Sequence, residues 1–158
     1  VPLFMETMSV LSGGGLVPVD LSAATAKVCA AACDLARLIG GRVVLLHVVA
    51  PPPVVMSEYY AFDSGYVAQA MVALEKTATL RLRALARRFS RRARIRTVQV
   101  TGQPVPTILA KARASRAAYI VLGSHGHGAM FDLIVGSVTQ GVLRKAPCPV
   151  LVVPMPRT

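Results

Sequence analysis

The sequence has no tryptophan, and aromatic residues make up only 5% of its 158 positions. Cysteine is nearly as scarce: Cys29, Cys33 and Cys148 are too few for a disulfide-dense secreted module. Cys29 and Cys33 stand four apart among alanines on an expected helix. They read as small core residues in a reducing compartment, with no neighbouring ligand types to complete a metal site. Acidic residues number seven against eighteen lysines and arginines. No uncharged run reaches the roughly 18 to 20 apolar residues of a spanning helix. Val43 to Ser57 is interrupted by Pro51-Pro52-Pro53, and Ala117 to Phe131 by glycine and histidine. The N-terminus shows no basic region ahead of an apolar core, so no secretory signal is expected. These absences point away from a membrane protein and toward a cytoplasmic location.

The chain that remains is 54% apolar, with mean hydropathy +0.55, the excess lying in Ala, Val and Leu. Its length fits one domain that buries about 70% of its extended surface, with no need for a metal or disulfide staple. Charge is uneven along it. Only three of the eighteen basic residues precede Lys76, and nine fall between Lys76 and Arg96. Such a stripe attracts phosphate or other polyanions. No aromatics interleave with it to stack on bases, so the stripe reads first as a solvated helix face. A polyanion-binding module using Arg81 to Arg96 stays as an alternative.

Periodicity orders the chain. Residues 1–15 end in Ser12-Gly13-Gly14-Gly15 and read as a flexible lead-in to a domain spanning 16–158. Leu16 to Val19 is a short strand. A helix is expected from Leu21 or Ser22 to Ile39, capped by Asp20 or Ser22 and stopped by Gly40-Gly41. Arg42 to Val49 is apolar on both faces, as a buried parallel strand should be. After a proline-headed loop, Val67, Met71, Leu74, Ala78, Leu82, Leu85 and Phe89 mark one long amphipathic helix over 65–92. Then follow a strand Ile95 to Thr101, a helix Val105 to Ser115, a strand Tyr119 to Leu122, a helix Ser137 to Lys145 and a strand Val150 to Val153. Alternating strands and helices with right-handed crossovers give an α/β domain, one parallel sheet with helices on both faces.

The chemistry concentrates at Gly123-Ser124-His125-Gly126-His127-Gly128 and at Gly136-Ser137-Val138-Thr139. The first group leaves a strand at its carboxyl end and the second opens a helix. Glycines let backbone N–H groups approach an anion, the helix start adds free donors, and the hydroxyls of Ser137 and Thr139 add more. Asp20 ends the first strand. If that strand neighbours the fourth, Asp20 faces the same crevice, where a carboxylate accepts from ribose hydroxyls or holds a phosphate-bound cation; otherwise it is a helix cap. Val48 ends the second strand, where its backbone is free to pair with a base edge or its side chain simply belongs to the core.

These residues resemble the ATP-binding branch of the universal stress protein family. The spacing Gly123-x2-Gly126-x9-Gly136-Ser137 matches that branch's nucleotide signature. LVPVDLS at Leu16 to Ser22, LLHVV at Leu45 to Val49, TGQP at Thr101 to Pro104 and APCPVLVVP at Ala146 to Pro154 match its other marks. The resemblance runs from about Leu16 to Pro154. It implies a single-domain Rossmann-like fold of the adenine nucleotide alpha hydrolase kind, with strand order 3-2-1-4-5. It implies bound ATP, ADP or AMP, with Mg²⁺ accompanying the nucleotide, and a homodimer formed through Val150 to Val153. By position, Pro18, Val19 and Asp20 resemble residues near base and ribose, and Val48 the residue that recognises adenine through its backbone. Leu122, Gly123, Gly126, Gly136, Ser137, Val138 and Thr139 resemble the ribose and phosphate binders, and His125 and His127 belong to the same loop.

Three positions depart from the family pattern. Tyr119 stands where Asp is usual, His127 where Arg or Lys is frequent, and Gly141 interrupts a helix at a cost of about 1 kcal/mol against Ala. A neutral imidazole at 127 holds a terminal phosphate less well than Arg, and its protonation makes affinity depend on pH. His125 and His127 lack a third ligand for a metal. The string GxxxxGK[ST] is missing and no lysine lies in or beside the glycine loop. The expected function is therefore a nucleotide-binding dimeric stress regulator. A slow ATPase or nucleotidyl-transfer enzyme on the same fold is the alternative.

Overall fold

The computed structural model describes residues 13–51, 64–124 and 135–155, and for 64–67 only the backbone. The elements run β1 Gly14–Pro18, α1 Thr25–Ile39, β2 Arg42–Val49, α2 Ser64–Phe89, β3 Ile95–Thr101, α3 Pro104–Ala114, β4 Tyr119–Gly123, α4 Ser137–Leu143 and β5 Val150–Val153. The five strands pair in parallel in the order β3-β2-β1-β4-β5. Expected architecture and strand order are both what the structure shows.

Neighbouring residues on each central strand serve opposite faces, which is why the strands read as apolar throughout. Val17, Val43, Leu45 and Val121 pack with Val28, Cys29 and Ala32 of α1 and Ala78, Leu82 and Phe89 of α2. Leu16, Leu46, Ile120 and Leu122 pack on the other side with Ile108, Leu109 and Ala112 of α3 and Val142 of α4. Two crossovers carry the chain from β1 outward through β2 to β3, and the chain then returns to β4 on the other flank of β1. The strand order therefore reverses between β1 and β4, and their carboxyl ends open a crevice there.

Several boundaries differ from expectation for physical reasons. Strand β1 begins at Gly14, taking in two glycines assigned above to the lead-in, because Gly14 pairs with Arg42 and Gly15 with both Val43 and Tyr119. Helix α1 begins at Thr25, not at Leu21 or Ser22, and neither Asp20 nor Ser22 caps it. Leu21 is left-handed at φ 60°, which turns the chain before the helix can start. The C-terminal stop is as expected: Gly40, at φ 70°, gives its N–H to the Ala36 carbonyl. Helix α2 stops at Phe89, where residues 90–93 turn back toward β3, and Leu74 is 60% exposed rather than on the buried stripe. Helix α4 ends at Leu143, two residues short of Lys145.

Candidate functional site

A cavity of about 320 Å³ opens at the carboxyl ends of β1, β2 and β4. Pro18, Val19 and Asp20 reach it from the end of β1, and Leu46 and Val48 from β2. Ala24, Thr25 and Val28 come from the start of α1, Pro104 and Ile108 from α3, and Leu122 and Gly123 from β4. Gly136, Ser137, Val138 and Thr139 close it at the head of α4. Ten of the residues singled out in the sequence thus meet in one place. His125, Gly126 and His127 lie outside the described residues.

The β1 end of the cavity is held by local hydrogen bonds. Asp20 Oδ1 accepts from the Ser22 backbone N–H at 3.0 Å and from the Thr25 hydroxyl at 3.1 Å. The carboxylate closes a turn around the left-handed Leu21 instead of capping a helix. Such a conformation costs about 1–3 kcal/mol in a non-glycine residue and persists only where surroundings enforce it. Arg81 of α2 contributes here: its guanidinium donates to the Leu21 carbonyl at 2.6 Å. This basic residue of the stripe is therefore committed to the fold and is not merely a solvated charge.

Val19 is fixed from two sides. Its N–H donates to the Leu46 carbonyl at 2.8 Å, prolonging the β1–β2 pairing past the end of the strand. Its carbonyl accepts from His47 Nδ1 at 2.8 Å, which requires the tautomer protonated on Nδ1. His47 was not among the expected site residues, although one imidazole within a largely apolar strand is a readable signal. Ala24, Thr25, Val28, Leu46, Pro104 and Ile108 also line the cavity without having been expected there; all but Thr25 are apolar and carry no chemical signature.

At the α4 end, Gly136 is the N-cap residue and no side chain caps the helix. Its own N–H donates to the Ser124 carbonyl at 2.8 Å. Thr139 lines the cavity and is also tied to the scaffold. Its side chain is buried, and its hydroxyl donates to the Gly123 carbonyl at 2.8 Å, tying α4 to the tip of β4. That hydrogen is engaged by the scaffold in this structure, whereas Ser137 is exposed. The arrangement supplies an apolar wall (Leu46, Val48, Ile108), one carboxylate, and backbone N–H groups at a helix start. That combination can seat a ligand with a flat apolar part and an anionic tail.

Comparison with known proteins identifies the family. The model of the universal stress protein family matches residues 16–154. The chain belongs to the universal stress protein family. A universal stress protein of Thermus aquaticus, described from the 3' region of a QAH/OAS sulfhydrylase, is 32% identical over 114 residues, covering 72% of this chain and 78% of that one. The solved structure of universal stress protein UspA from Lactobacillus plantarum is similar with a TM-score of 0.78 and 25% identity, over 90% of this chain and 97% of that one. A universal stress protein from Archaeoglobus fulgidus, solved in complex with dAMP, shares the fold at a TM-score of 0.61 and 21% identity, over 90% of this chain and 98% of that one. Among the described residues no helix of this family member is long and apolar enough to cross a membrane.

Proposed function

We propose that this universal stress protein binds an adenine nucleotide, ATP or its di- or monophosphate, in the cavity between β1 and β4, and acts as a dimeric regulator and not as an efficient enzyme. One observation carries the reading: ten residues selected for nucleotide contact, from four separate stretches of sequence, line one cavity. Its volume falls within the range of about 300–1,000 Å³ usual for small-molecule sites. Adenine fits the slot beside Val48, with Leu46 and Ile108 as the apolar wall. The ribose lies toward Asp20, and the phosphates toward Gly123, Gly136 and Ser137. The dAMP carried by the Archaeoglobus fulgidus relative supports an adenine nucleotide as the ligand class.

The residues present suit a metal that arrives with the nucleotide. Among the described residues no group of three or more His, Cys, Asp or Glu could cage a cation, and Asp20 is the one carboxylate lining the cavity. Mg²⁺ usually keeps waters and binds through one or two carboxylates plus substrate phosphates, and it would supply charge neutralisation here. The same sparse chemistry argues for slow turnover at most. The backbone N–H groups of α4 bind and orient the phosphates, but the described lining has no lysine, arginine or histidine to stabilise a leaving phosphoryl group. Dimerisation is assigned to β5, an edge strand whose VLVV sequence carries no charge against pairing and whose Leu151 is 41% exposed.

The test is the small-molecule content of the purified protein, read by mass spectrometry of a heat-released extract. An adenine nucleotide at near-stoichiometric yield, with phosphate release from added ATP well below 1 s⁻¹, is the expected result. Sustained turnover at about 1 s⁻¹ or faster would make the protein an enzyme instead.

A further inference from the structure

At the far end of the sheet from the nucleotide cavity lies a second cleft of about 390 Å³. Four arginines line it from three separate segments: Arg37 in the last turn of α1, Arg42 at the first position of β2, and Arg92 and Arg94 in the turn between α2 and β3. The rest of its lining is Ala36, Ala93, Gly40 and Gly41, so apart from the arginines the wall offers little but backbone and methyl groups. Among the described residues no acidic side chain lines it. We propose that this cleft is a binding site for a compact, multiply charged phosphate anion of the pyrophosphate or short polyphosphate class.

Like charges gathered in one concavity repel, and a bound polyanion removes that repulsion. Local structural needs account for only part of the cluster. The C-terminal dipole of α1 explains one cation in its last turn, Arg37. Arg92 has an ion pair with Asp34, but at 3.8 Å between half-exposed side chains it is worth little. Neither explains why Arg42 and Arg94 face the same space. The first 75 residues hold only three basic side chains, and two of them, Arg37 and Arg42, stand here.

Two of the four arginines are already constrained. The stem of Arg42 lies over the bare Cα of Gly14, where a Cβ would stand 3.2 Å from Nε and 3.4 Å from Cγ. The guanidinium of Arg92 sits 5.8 Å from the centroid of the Phe89 ring, which Arg88 also approaches at 5.6 Å. Guanidinium forks match phosphate oxygens two at a time, and held side chains lose less entropy on binding. The described lining offers no aromatic surface on which a base could stack. Concave, unstacked and rich in forks, the cleft favours a short polyphosphate over a nucleic-acid strand.

The experiment titrates the full chain with inorganic pyrophosphate and with tripolyphosphate by calorimetry, repeated with Arg37→Gln/Arg94→Gln and with Gly136→Asp. The expected result is one site whose affinity falls about tenfold or more in the double variant, stays within about twofold in Gly136→Asp, and declines as salt rises from about 50 to about 200 mM. Thermal melts check folding; should the double variant unfold, Arg37→Gln alone, at an exposed helix position, gives the same reading. Absence of binding, unchanged affinity in the arginine variants, or loss in Gly136→Asp alone overturns the proposal, the last by placing the anion in the nucleotide cavity. Arginine-dependent retention of duplex DNA with no pyrophosphate binding overturns it in favour of a nucleic-acid surface.

Discussion

The ring of Tyr119 lies against the bare Cα of Gly15 on the adjacent strand. The two residues are paired in the β1–β4 register, and a Cβ at Gly15 would come within 2.7 Å of Tyr119 Oη and closer still to the ring carbons. Tyr119 is 2% exposed, so the ring has nowhere to move. Gly15→Ala is therefore expected to destabilise the fold by about 1–3 kcal/mol, the usual cost of overpacking. Urea unfolding checks it; an unchanged midpoint would mean that the ring yields more easily than its burial implies.

The phenol of Tyr119 makes the opposite prediction. Its oxygen is buried without a hydrogen-bond partner among the described residues, and burial, with a contribution from Cys33, pushes its pKa up. Leaving a buried polar group unsatisfied costs about 1–3 kcal/mol, so Tyr119→Phe is expected to leave stability unchanged or raise it. A loss of more than about 1 kcal/mol in the same assay would show that the hydroxyl has a partner after all.

Gly141 in α4 faces Val105 of α3, where a Cβ would stand 2.8 Å from Val105 Cγ2 and 3.2 Å from Cγ1. Helix propensity alone favours Gly141→Ala by about 1 kcal/mol. The close approach of the two helices is expected to cancel that gain or reverse it. In a double-mutant cycle with Val105→Ala, the coupling should be at least about 0.5 kcal/mol, with the alanine at 141 tolerated only once Val105 is trimmed. Additive effects would refute the contact.

Stability should fall in alkali. Burial, with the neighbouring Cys33, pushes the Cys29 thiol from 9.0 up to about 12, and burial raises Cys33 as well. Above pH 9 the unfolded chain releases these protons while the native chain keeps them. For Cys29 the contribution is thus fully present below pH 9 and is lost as pH rises toward about 12, at on the order of 1 kcal/mol per pH unit, and Cys33 acts in the same direction. Chemical denaturation at pH 8 and pH 10 measures it, and Cys29→Ala is expected to flatten the decline. An equally steep decline in that variant would locate the effect elsewhere.

The parallel sheet was legible because Arg42 to Val49 and Tyr119 to Leu122 are apolar on both faces, which only a strand buried between two helical layers requires. The cavity residues were legible where chemistry needs a special residue, as at Gly136 and Asp20. They were illegible where the wall is plain, as at Leu46 and Ile108. Of the shifted boundaries, those at β1 and α1 have tertiary causes. Gly14 and Gly15 look like a linker until Arg42 and Tyr119 are seen lying on them. Asp20 looks like a cap until Leu21 turns left-handed, held there by Arg81 from a helix sixty residues on. No local pattern encodes that contact. The bond of Thr139 was illegible for the same reason, since only the fold brings the Gly123 carbonyl to its hydroxyl.

Thr139 also separates scaffold from ligand contact. Thr139→Val keeps the shape and removes the bond to the Gly123 carbonyl. It is expected to weaken nucleotide affinity by about tenfold, by loosening α4 on β4, and to lower the melting temperature of the free protein. Lower affinity with an unchanged melting temperature would instead make Thr139 a direct ligand contact.

The most direct test is a calorimetric titration of the purified chain with ATP beside its Gly136→Asp variant. Gly136 has φ −53° and ψ 149° at the N-cap, a conformation open to any residue and one where Asp favours the helix, so the variant should fold. It nevertheless sets a carboxylate among the backbone N–H groups assigned to the phosphates. Saturable binding by the native chain and none by the folded variant is the result predicted here; equal affinity in the two, or no binding by the native chain, would contradict the assignment of this cavity to a nucleotide.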